Sequence, residues 1–367
     1  MATRPKYLLL PRKSPVYGQD YLCEDIRLQL GLKPIYTGPD DRYDYVVSPQ
    51  DAALVVSQNP DNLSDAILFE QIHHDLTKLM HVHLQLRYLD PSAVDNLSRV
   101  ARVSKYGVSP ADFHKRMLEE RYGSTIWSTI YNGCDQKKFF PSSEQQRLEF
   151  RKKYNICEGK IVVACVGRLD DTKGLQIIRE LARRAKDDLC LVLQYPYSDS
   201  NIFTHKFRRF ATEIKNECPN VVRTIEDDRS TDDKYMRYAD CLLSPSLCEV
   251  APMVVVEALM CGVPVLATGS TPFFVDDLRR LHLPENALRV MELPDRIQTL
   301  DRLSLRLHDD EINQLVELSM SHILAYREGG SDHERNMLAA TMCATEFTQE
   351  AMLNKISELY EKAAAQC

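Results

Sequence analysis

The strongest constraint on the fold is an alternation of short apolar runs with longer segments of helical periodicity. In the first part of the chain, apolar runs lie at 7–10, 52–57, 79–84 and 100–104, and helical patterns lie at 21–30, 63–74 and 110–121. After a polar stretch at 142–153, apolar runs lie at 161–166, 189–193, 221–224, 241–243 and 263–267, and helical patterns lie at 175–185, 203–216, 232–238 and 254–260. This alternation is typical of parallel sheets covered by helices, so it predicts two doubly wound α/β halves.

The length of 367 residues exceeds what one hydrophobic core usually serves. The sequence therefore predicts an amino-terminal domain at 1–148 and a carboxy-terminal domain at 149–340, with the polar stretch as a linker. Residues 341–367 are predicted to contain a further helix, because apolar residues recur there at helical spacing. Either domain could receive this helix, and packing back on the amino-terminal domain is one possibility.

Charge and cysteine usage exclude several classes of protein. Lys and Arg total 46 against 53 Asp and Glu, a net charge of −7, which argues against a nucleic-acid partner. The eleven cysteines include no Cys-x-x-Cys pair, which is typical of a reduced cytosolic chain without a zinc site. The first residues hold too short an apolar run for a signal peptide, and prolines and glycines interrupt the least charged stretch, 250–275. We expect a soluble cytoplasmic protein with at most peripheral membrane contact.

Two common nucleotide-binding motifs are missing from the sequence. No Gly-x-Gly-x-x-Gly follows a predicted strand, and no Gly-x-x-x-x-Gly-Lys-Ser/Thr occurs, which argues against NAD-dependent and P-loop functions. Ligands of parallel sheets bind beyond the carboxyl ends of the strands. The expected site is therefore a cleft between the two domains, where those ends face each other.

A basic loop follows the apolar run at 161–166. Its sequence is Gly-Arg-Leu-Asp-Asp-Thr-Lys-Gly, in which Arg168 and Lys173 lie five residues apart just before a predicted helix. Such an arrangement can bind an anion, and a diphosphate would fit it. The alternative is that Arg168 pairs with Asp170 or Asp171 while Lys173 is solvated.

Two carboxylates flank a long uncharged stretch. Between Glu249 and Asp276 the only charged residue is Glu257. A carboxylate in such apolar surroundings must reach the surface, find a cation or accept hydrogen bonds from ligand hydroxyls. If a helix begins at Pro252, the amides of Met253 and Val254 lack helical partners and face any ligand near Glu249. The alternative is an ordinary helix with Glu257 on its exposed face.

The pattern of Glu249, seven residues and Glu257 resembles the Glu-x7-Glu region of retaining GT-B glycosyltransferases of family four (glycosyl transferases group 1). The basic loop resembles that family's Arg/Lys diphosphate loop. The segment Asn132-Gly133-Cys134-Asp135, followed by two phenylalanines and Pro141, is similar to its interdomain segment. The three motifs occur in the family's order within 131–278.

The resemblance implies a GT-B fold, with two Rossmann-like domains facing across a cleft, and a nucleotide diphosphate sugar as donor. It implies that Arg168 and Lys173 bind the donor diphosphate, that Glu249 binds the sugar hydroxyls and that Glu257 binds the ribose. The chain departs from the family at Val250 and Pro252, where the family has glycines. It also has Gln-Tyr-Pro at 194–196, where the family often has Gly-x-Gly.

The amino-terminal half is expected to supply a histidine near the reacting carbon. In this family that residue often lies just past a strand, which favours His83 at the end of the run 79–84, with His74 as the alternative. A structural role for either histidine stays open. We also include Gly18, the one glycine in the loop after the first strand, among the residues expected to bind the nucleotide sugar.

The resemblance implies transfer of a glycosyl unit, hexosyl by analogy, to an acceptor hydroxyl with retention of anomeric configuration. Arg168, Lys173 and helix amides would stabilise the departing diphosphate, so neither a metal nor a further cofactor is expected. The acceptor is unspecified and could be a glycan, a lipid-linked group, a protein or a small molecule. A sugar-nucleotide 2-epimerase and a catalytically silent sugar-nucleotide-binding subunit remain alternatives on the same scaffold.

Overall fold

The computed structural model describes most of the chain beyond residue 90 and shorter segments before it. The described residues are 7–10, 33–34, 36–37, 43–44, 54–57, 66, 69–70, 77–82, 91–123, 125–169, 171–185, 188–196, 202–227, 235–284, 286–299, 305–328 and 333–365. They divide into two compact units, Met1–Gly133 with Phe347–Cys367, and Cys134–Glu346. The division lies ahead of the expected boundary after residue 148.

The first unit contains a parallel sheet of six strands in the order β2-β1-β5-β6-β7-β8. These strands are β1 (Tyr7–Leu10), β2 (Lys33–Pro34), β5 (Leu54–Ser57), β6 (Thr77–His81), β7 (Tyr106–Ser109) and β8 (Ile126–Thr129). A separate antiparallel pair is formed by β3 (Tyr36–Thr37) and β4 (Tyr43–Asp44). Its described helices are α1 (Pro91–Val103), α2 (Asp112–Arg121) and, from the end of the chain, α10 (Gln349–Ala364).

The second unit contains another parallel sheet of six strands, in the order β11-β10-β9-β12-β13-β14. Its strands are β9 (Ile161–Val166), β10 (Leu189–Pro196), β11 (Val222–Asp227), β12 (Cys241–Ser244), β13 (Val265–Thr268) and β14 (Leu288–Met291). Its helices are α3 (Glu144–Lys153), α4 (Leu175–Arg184), α5 (Ile202–Glu217), α6 (Met253–Met260), α7 (Asp295–Thr299), α8 (Asp309–Glu328) and α9 (His333–Glu346). Counted along this unit, the strand order is 3-2-1-4-5-6, that of the Rossmann fold.

The apolar runs predicted most of these strands, and the α/β fold with parallel sheets is confirmed. The prediction of a strand at 100–104 was wrong, because residues 100–103 form the end of helix α1. Leu97, Val100 and Ala101 are buried at the i, i+3, i+4 spacing of one helix face. The strand follows instead at Tyr106–Ser109, where all four residues are buried.

The polar stretch at 142–153 was expected to be a linker, but it forms helix α3. Ser143 and Gln146 make a capping box, in which each side chain accepts a hydrogen bond from the other residue's backbone amide. Phe150 is buried and packs against Tyr154 and Tyr238, with ring centroids 4.8 and 5.1 Å away. Local capping and one aromatic anchor therefore order a segment that is otherwise highly polar.

Helix α10 packs against the sheet of the first unit. Tyr360 and Ala363 are fully buried in a cluster with residues of β5, β6 and β7. The Tyr360 hydroxyl lies 2.8 Å from Nε2 of His81, the last residue of β6. Thr348 caps the helix by accepting a hydrogen bond from the amide of Ala351 at 3.0 Å. The last described helix thus completes the core of the unit that contains the first strand.

Candidate functional site in the second unit

The strand order of the second unit reverses between β9 and β12. These two strands are neighbours in the sheet, with Cys241 paired to Val163 and Leu242 paired to Ala164. From β9 the chain winds outward to β10 and β11, whereas from β12 it winds outward to β13 and β14. Loops at such a reversal diverge and leave a crevice beyond the carboxyl ends of the strands, which is where α/β proteins bind ligands. The basic loop and the Glu249 loop follow these two strands.

The basic loop, residues 167–174, has a glycine in the left-handed region at each end. Gly167 has φ +135° and its amide donates to the Gln194 carbonyl at 3.0 Å. Gly174 has φ +64°, and a Cβ there would overlap the carbonyl oxygen of Pro245. Only glycine can occupy position 174 without strain. This close approach brings the basic loop against the loop after β12.

The Glu249 loop, residues 245–252, is joined to the basic loop by two contacts. The amide of Leu247 donates to the carbonyl oxygen of Thr172 at 2.7 Å. The Lys173 ammonium forms an ion pair and hydrogen bond with the Glu249 carboxylate. The two side chains are 21% and 14% exposed, so most of the ion pair is shielded from solvent. The structure therefore brings together two of the residues that the sequence predicted for the site, and the solvated alternative for Lys173 is wrong.

Two buried threonines hold the Glu249 loop from its other side. The hydroxyl of Thr268, at the end of β13, donates to the carbonyl oxygen of Ser246. The hydroxyl of Thr271 donates to the carbonyl oxygen of Val250 at 2.7 Å. Both threonines are at most 3% exposed. Val250, which stands where the family has a glycine, is thus fixed through its backbone.

The basic loop is also anchored by an apolar side chain, Leu169. This residue is 5% exposed and belongs to a cluster whose other buried members are Tyr195, Phe207 and Ala211. Tyr195 lies in the Gln-Tyr-Pro segment that replaces the family's Gly-x-Gly, so the larger side chain supports the loop. Burial raises the pKa of Tyr195, Glu226 raises it further and Arg208 opposes the rise, so the phenol is neutral at physiological pH.

Helix α6 follows the Glu249 loop. Pro252 is its extended N-cap residue and Met253 is the first helical residue, one position later than predicted. Met253 and Val254 are the first two helical residues, whose amides have no partners within the helix. Both side chains are partly exposed.

Glu257 lies in the second turn of α6 and is partly exposed. Burial is the main cause that raises the pKa of the Cys134 thiol, and the negative charge of Glu257 adds to it. The pKa of Cys261 rises to about 12 through burial, with Glu257 as the next cause. The negative charge of Glu257 therefore acts on two buried thiols of the second unit.

Several predicted residues cannot be placed against this geometry. Gly18, His83 and its alternative His74 lie outside the described residues. Arg168 is described, lies two residues after β9 and is partly exposed. His81, two residues before His83, is 1% exposed and hydrogen-bonded to Tyr360.

The residues that fix the two loops were not predicted from the sequence. Thr172, Leu247, Thr268 and Thr271 join them through backbone carbonyls or amides. These residue types are common in many settings, so neither spacing nor composition marked them. Thr268 and Thr271 had one signal, since both closely follow the predicted strand at 263–267.

In the part of the chain that the structure describes, no three side chains of His, Cys, Asp or Glu come together as they would to hold a metal ion. None of the helices in that part combines the length and the apolar character that crossing a bilayer requires.

Comparison with solved structures places the fold. Sucrose-phosphate synthase from Thermosynechococcus elongatus is similar with a TM-score of 0.71 and 15% identity, covering 99% of this chain and 100% of that one. A glycosyltransferase from Rickettsia africae ESF-5 is similar with a TM-score of 0.67 and 14% identity, covering 98% and 99%. HepE from Anabaena, solved in complex with UDP and glucose, also has a TM-score of 0.67 and 14% identity, covering 97% and 99%. The predicted GT-B fold is confirmed.

Sequence comparisons are more limited. No curated protein sequence gives a significant match to the chain. Residues 146–279, which contain the basic loop, the Glu249 loop and helix α6, match the family model described as glycosyl transferases group 1.

Proposed function

We propose that the protein is a glycosyltransferase that moves a sugar from a nucleotide diphosphate sugar to an acceptor hydroxyl with retention of anomeric configuration. The observation that carries this proposal is the ion pair between Lys173 and Glu249 at the point where the strand order reverses. It brings a cation suited to a diphosphate next to a carboxylate suited to sugar hydroxyls. These two groups are adjacent in a nucleotide sugar. The family match over 146–279 supports the same conclusion.

Each part of the donor has a proposed partner in the second unit. Arg168, Lys173 and the first amides of α6, at Met253 and Val254, would bind the diphosphate. Glu249 would accept hydrogen bonds from sugar hydroxyls. Glu257, eight residues further on, would accept hydrogen bonds from the ribose. The anchoring of both loops by buried contacts supports this assignment, because preorganised groups bind a ligand at lower entropic cost.

The proposed chemistry is stabilisation of a leaving group. As the glycosidic bond stretches, negative charge grows on the diphosphate, and cations and helix amides that are already in place lower the energy of that state. The sugar acquires oxocarbenium character. We propose that the leaving phosphate takes the proton of the acceptor hydroxyl on the same face, which gives retention. No divalent metal and no cofactor besides the donor are needed in this scheme.

The ion pair also implies an exchange of partners. The donor diphosphate must compete with the Glu249 carboxylate for Lys173, because the two anions repel each other and one ammonium cannot offset both. When the diphosphate approaches Lys173, the Glu249 carboxylate can turn to the sugar hydroxyls. Donor binding would then release the Glu249 carboxylate to accept hydrogen bonds from the sugar.

We propose uridine diphosphate sugars as the first donors to test, since HepE was solved with UDP and with UDP-glucose. We propose that the first unit binds the acceptor and supplies His83 near the anomeric carbon. The proposed location is the cytoplasm. A protein or membrane partner is not required by the mechanism.

The test is calorimetric titration of the full chain with a panel of nucleotide diphosphate sugars, followed by product analysis with and without candidate acceptors. The proposal requires that one donor binds and that its sugar reaches an acceptor hydroxyl. Conversion of the donor to its C2 epimer without an acceptor would identify an epimerase. Binding without turnover over a broad acceptor panel would identify a silent sugar-nucleotide-binding subunit. Absence of binding across the panel would refute the donor assignment.

A further inference from the structure

Arg237 carries a buried positive charge with which no described carboxylate pairs. The residue lies in the short 3₁₀ helix Tyr235–Tyr238, just before β12, and is only 6% exposed. Among the residues that the structure describes, its Nε has no hydrogen-bond partner and its guanidinium forms no ion pair. A charge that is removed from water without a counter-charge is costly, so buried guanidinium groups normally have an anionic partner. A buried guanidinium with unused donors is suited to bind an anion.

Two aromatic rings hold the Arg237 guanidinium in place. Its Cζ lies 4.2 Å from the ring centroid of Phe140 and 5.0 Å from that of Tyr238. Such cation–π contacts attract the charge, but they accept hydrogen bonds from none of the guanidinium's N–H groups. Phe140 is 40% exposed, so the ring that covers the buried charge is itself at the surface. Because exposed side chains change rotamer readily, Phe140 can admit a small ligand to the guanidinium.

A second arginine, Arg147 of α3, is joined to Arg237 through Ser142. Nε of Arg147 donates to the Ser142 hydroxyl oxygen at 3.0 Å, and that hydroxyl donates to the Arg237 carbonyl oxygen at 2.6 Å. Ser142 is buried, so the link is shielded from solvent. In the described part of the chain, Arg147 also forms no ion pair, and its two terminal nitrogens have no hydrogen-bond partner. Arg147, Ser142 and Arg237 thus form an arginine site with two unpaired positive charges.

The arginine site lies away from the candidate donor site. A Cβ on Gly262 would meet Pro141 Cγ at 3.7 Å, so the segment that leads into Ser142 packs at the carboxyl end of α6. The eight residues of α6 span roughly 12 Å, which separates this end from the first amides of the helix at Met253 and Val254. An anion at the arginine site therefore leaves the groups proposed for the donor unoccupied.

We propose that the arginine site binds a small phosphate monoester as a dianion. One dianion balances two guanidinium charges, and each guanidinium can donate two parallel hydrogen bonds to phosphate oxygens. A monovalent anion would offset only one of the two charges. The inference does not depend on the proposed function, because none of its groups belongs to the basic loop or to the Glu249 loop.

The test compares a dianion with a monoanion of similar shape on the full chain. Methyl phosphate is the probe and dimethyl phosphate its singly charged match, both at pH 8, since a phosphate monoester with a second pKa of about 6 is then a dianion. Hydrogen–deuterium exchange, followed by mass spectrometry of peptides, shows which segments each probe protects. We expect methyl phosphate to protect 137–147 and 235–240, and to bind there at least about threefold more tightly than dimethyl phosphate. Protection of 167–174 would report the donor site separately.

Variants separate the arginine site from the overall charge of the protein. Arg237→Met should weaken the protection by methyl phosphate at 137–147 about tenfold or more, and Arg147→Gln should weaken it at least about threefold. Arg209→Met is the matched control, because it also removes one positive charge, from a side chain that is 82% exposed and paired with Glu213. It should leave binding at the arginine site unchanged.

Three outcomes would each overturn the proposal. They are no protection of either segment at about 10 mM methyl phosphate, where a Kd of about 1 mM would give ~90% occupancy, equal affinity for the two probes, and unchanged affinity in Arg237→Met. Thermal melting checks that each variant is folded. Arg237→Lys, which keeps the charge and loses the fork of donors, replaces the Met variant if that variant unfolds, and it should bind methyl phosphate at least about threefold more weakly than the wild type.

Discussion

The Leu247 amide and the Thr172 carbonyl oxygen form a 2.7 Å hydrogen bond that joins the two loops of the candidate donor site. Both atoms belong to the backbone, so the bond does not depend on the side chains of Lys173 and Glu249. Those two residues can therefore be varied while the loops stay paired. The predictions for the donor site rest on this property.

Glu249→Gln should separate binding of the leaving group from transfer. Loss of the carboxylate frees Lys173 from its partner, so affinity for the matching nucleoside diphosphate should rise by about 0.5–1 kcal/mol. The rate of transfer should fall, because the charged acceptor for sugar hydroxyls is gone. Calorimetry with the nucleoside diphosphate and a transfer assay measure the two effects. A weaker affinity for the nucleoside diphosphate in a folded variant would contradict the partner exchange.

Glu257→Gln should weaken binding of the nucleotide sugar by about 1–3 kcal/mol, since a charged acceptor for the ribose hydroxyls becomes a neutral amide. A deoxyribose analogue of the donor nucleotide supplies the control. Wild-type protein should discriminate against the analogue, and the variant should discriminate less. Equal discrimination by both proteins would remove Glu257 from the ribose site.

Replacing Arg168 and Lys173 together by Ala should act on the phosphates and not on the nucleoside. Affinity for the nucleoside diphosphate should fall, while affinity for the free nucleoside should change little. Competition titrations with both ligands measure the ratio. A parallel loss for the two ligands would point to damage of the fold and against a diphosphate role.

Gly174→Ala should destabilise the protein by roughly 2–4 kcal/mol. The left-handed φ of +64° is unfavourable for alanine, and the added Cβ overlaps the Pro245 carbonyl oxygen. Gly159→Ala is the matched control, because Gly159 also has a positive φ, +84°, but a Cβ there meets nothing within 4 Å. Its cost should be about 1–2 kcal/mol. Urea unfolding of the two variants gives the comparison, and equal costs would mean that the two loops separate easily.

Transfer should survive chelation by EDTA, and the product should keep the donor's anomeric configuration. Arg168 and Lys173 offer the diphosphate the charge that a metal supplies in other transferases. The one-bond coupling at the new anomeric carbon reports the stereochemistry. Loss of activity on chelation that Mg²⁺ restores would contradict the cation-only site, and an inverted product would contradict the proposed retaining mechanism.

Local sequence patterns predicted most strands of the two sheets, though not β2, β8 or β14, and the two loops that carry charged residues. Apolar runs marked β9 and β12 because buried parallel strands are apolar on both faces. The run 100–104 gave a wrong strand prediction, since a short apolar run is also compatible with the buried face of a helix. The family resemblance implied that Lys173 and Glu249 belong to one site, and the strand order explains why they meet.

Contacts between distant parts of the chain were beyond sequence reasoning. Tyr195 supports the basic loop by sharing a buried cluster with Leu169, and periodicity does not encode which apolar side chains share a cluster. The pairing of His81 with Tyr360 spans 279 positions. Each such contact depends on two elements docking in one register, and neither residue carries a local mark of its partner.

The division of the chain has a consequence for its synthesis on the ribosome. The second unit is one continuous segment, Cys134–Glu346, whereas the first unit needs residues from both sides of it. The strands of the first unit leave the ribosome before the second unit, but Tyr360, which covers them, is made after it. One face of the earlier sheet therefore stays uncovered while the whole second unit is synthesised, until helix α10 reaches it.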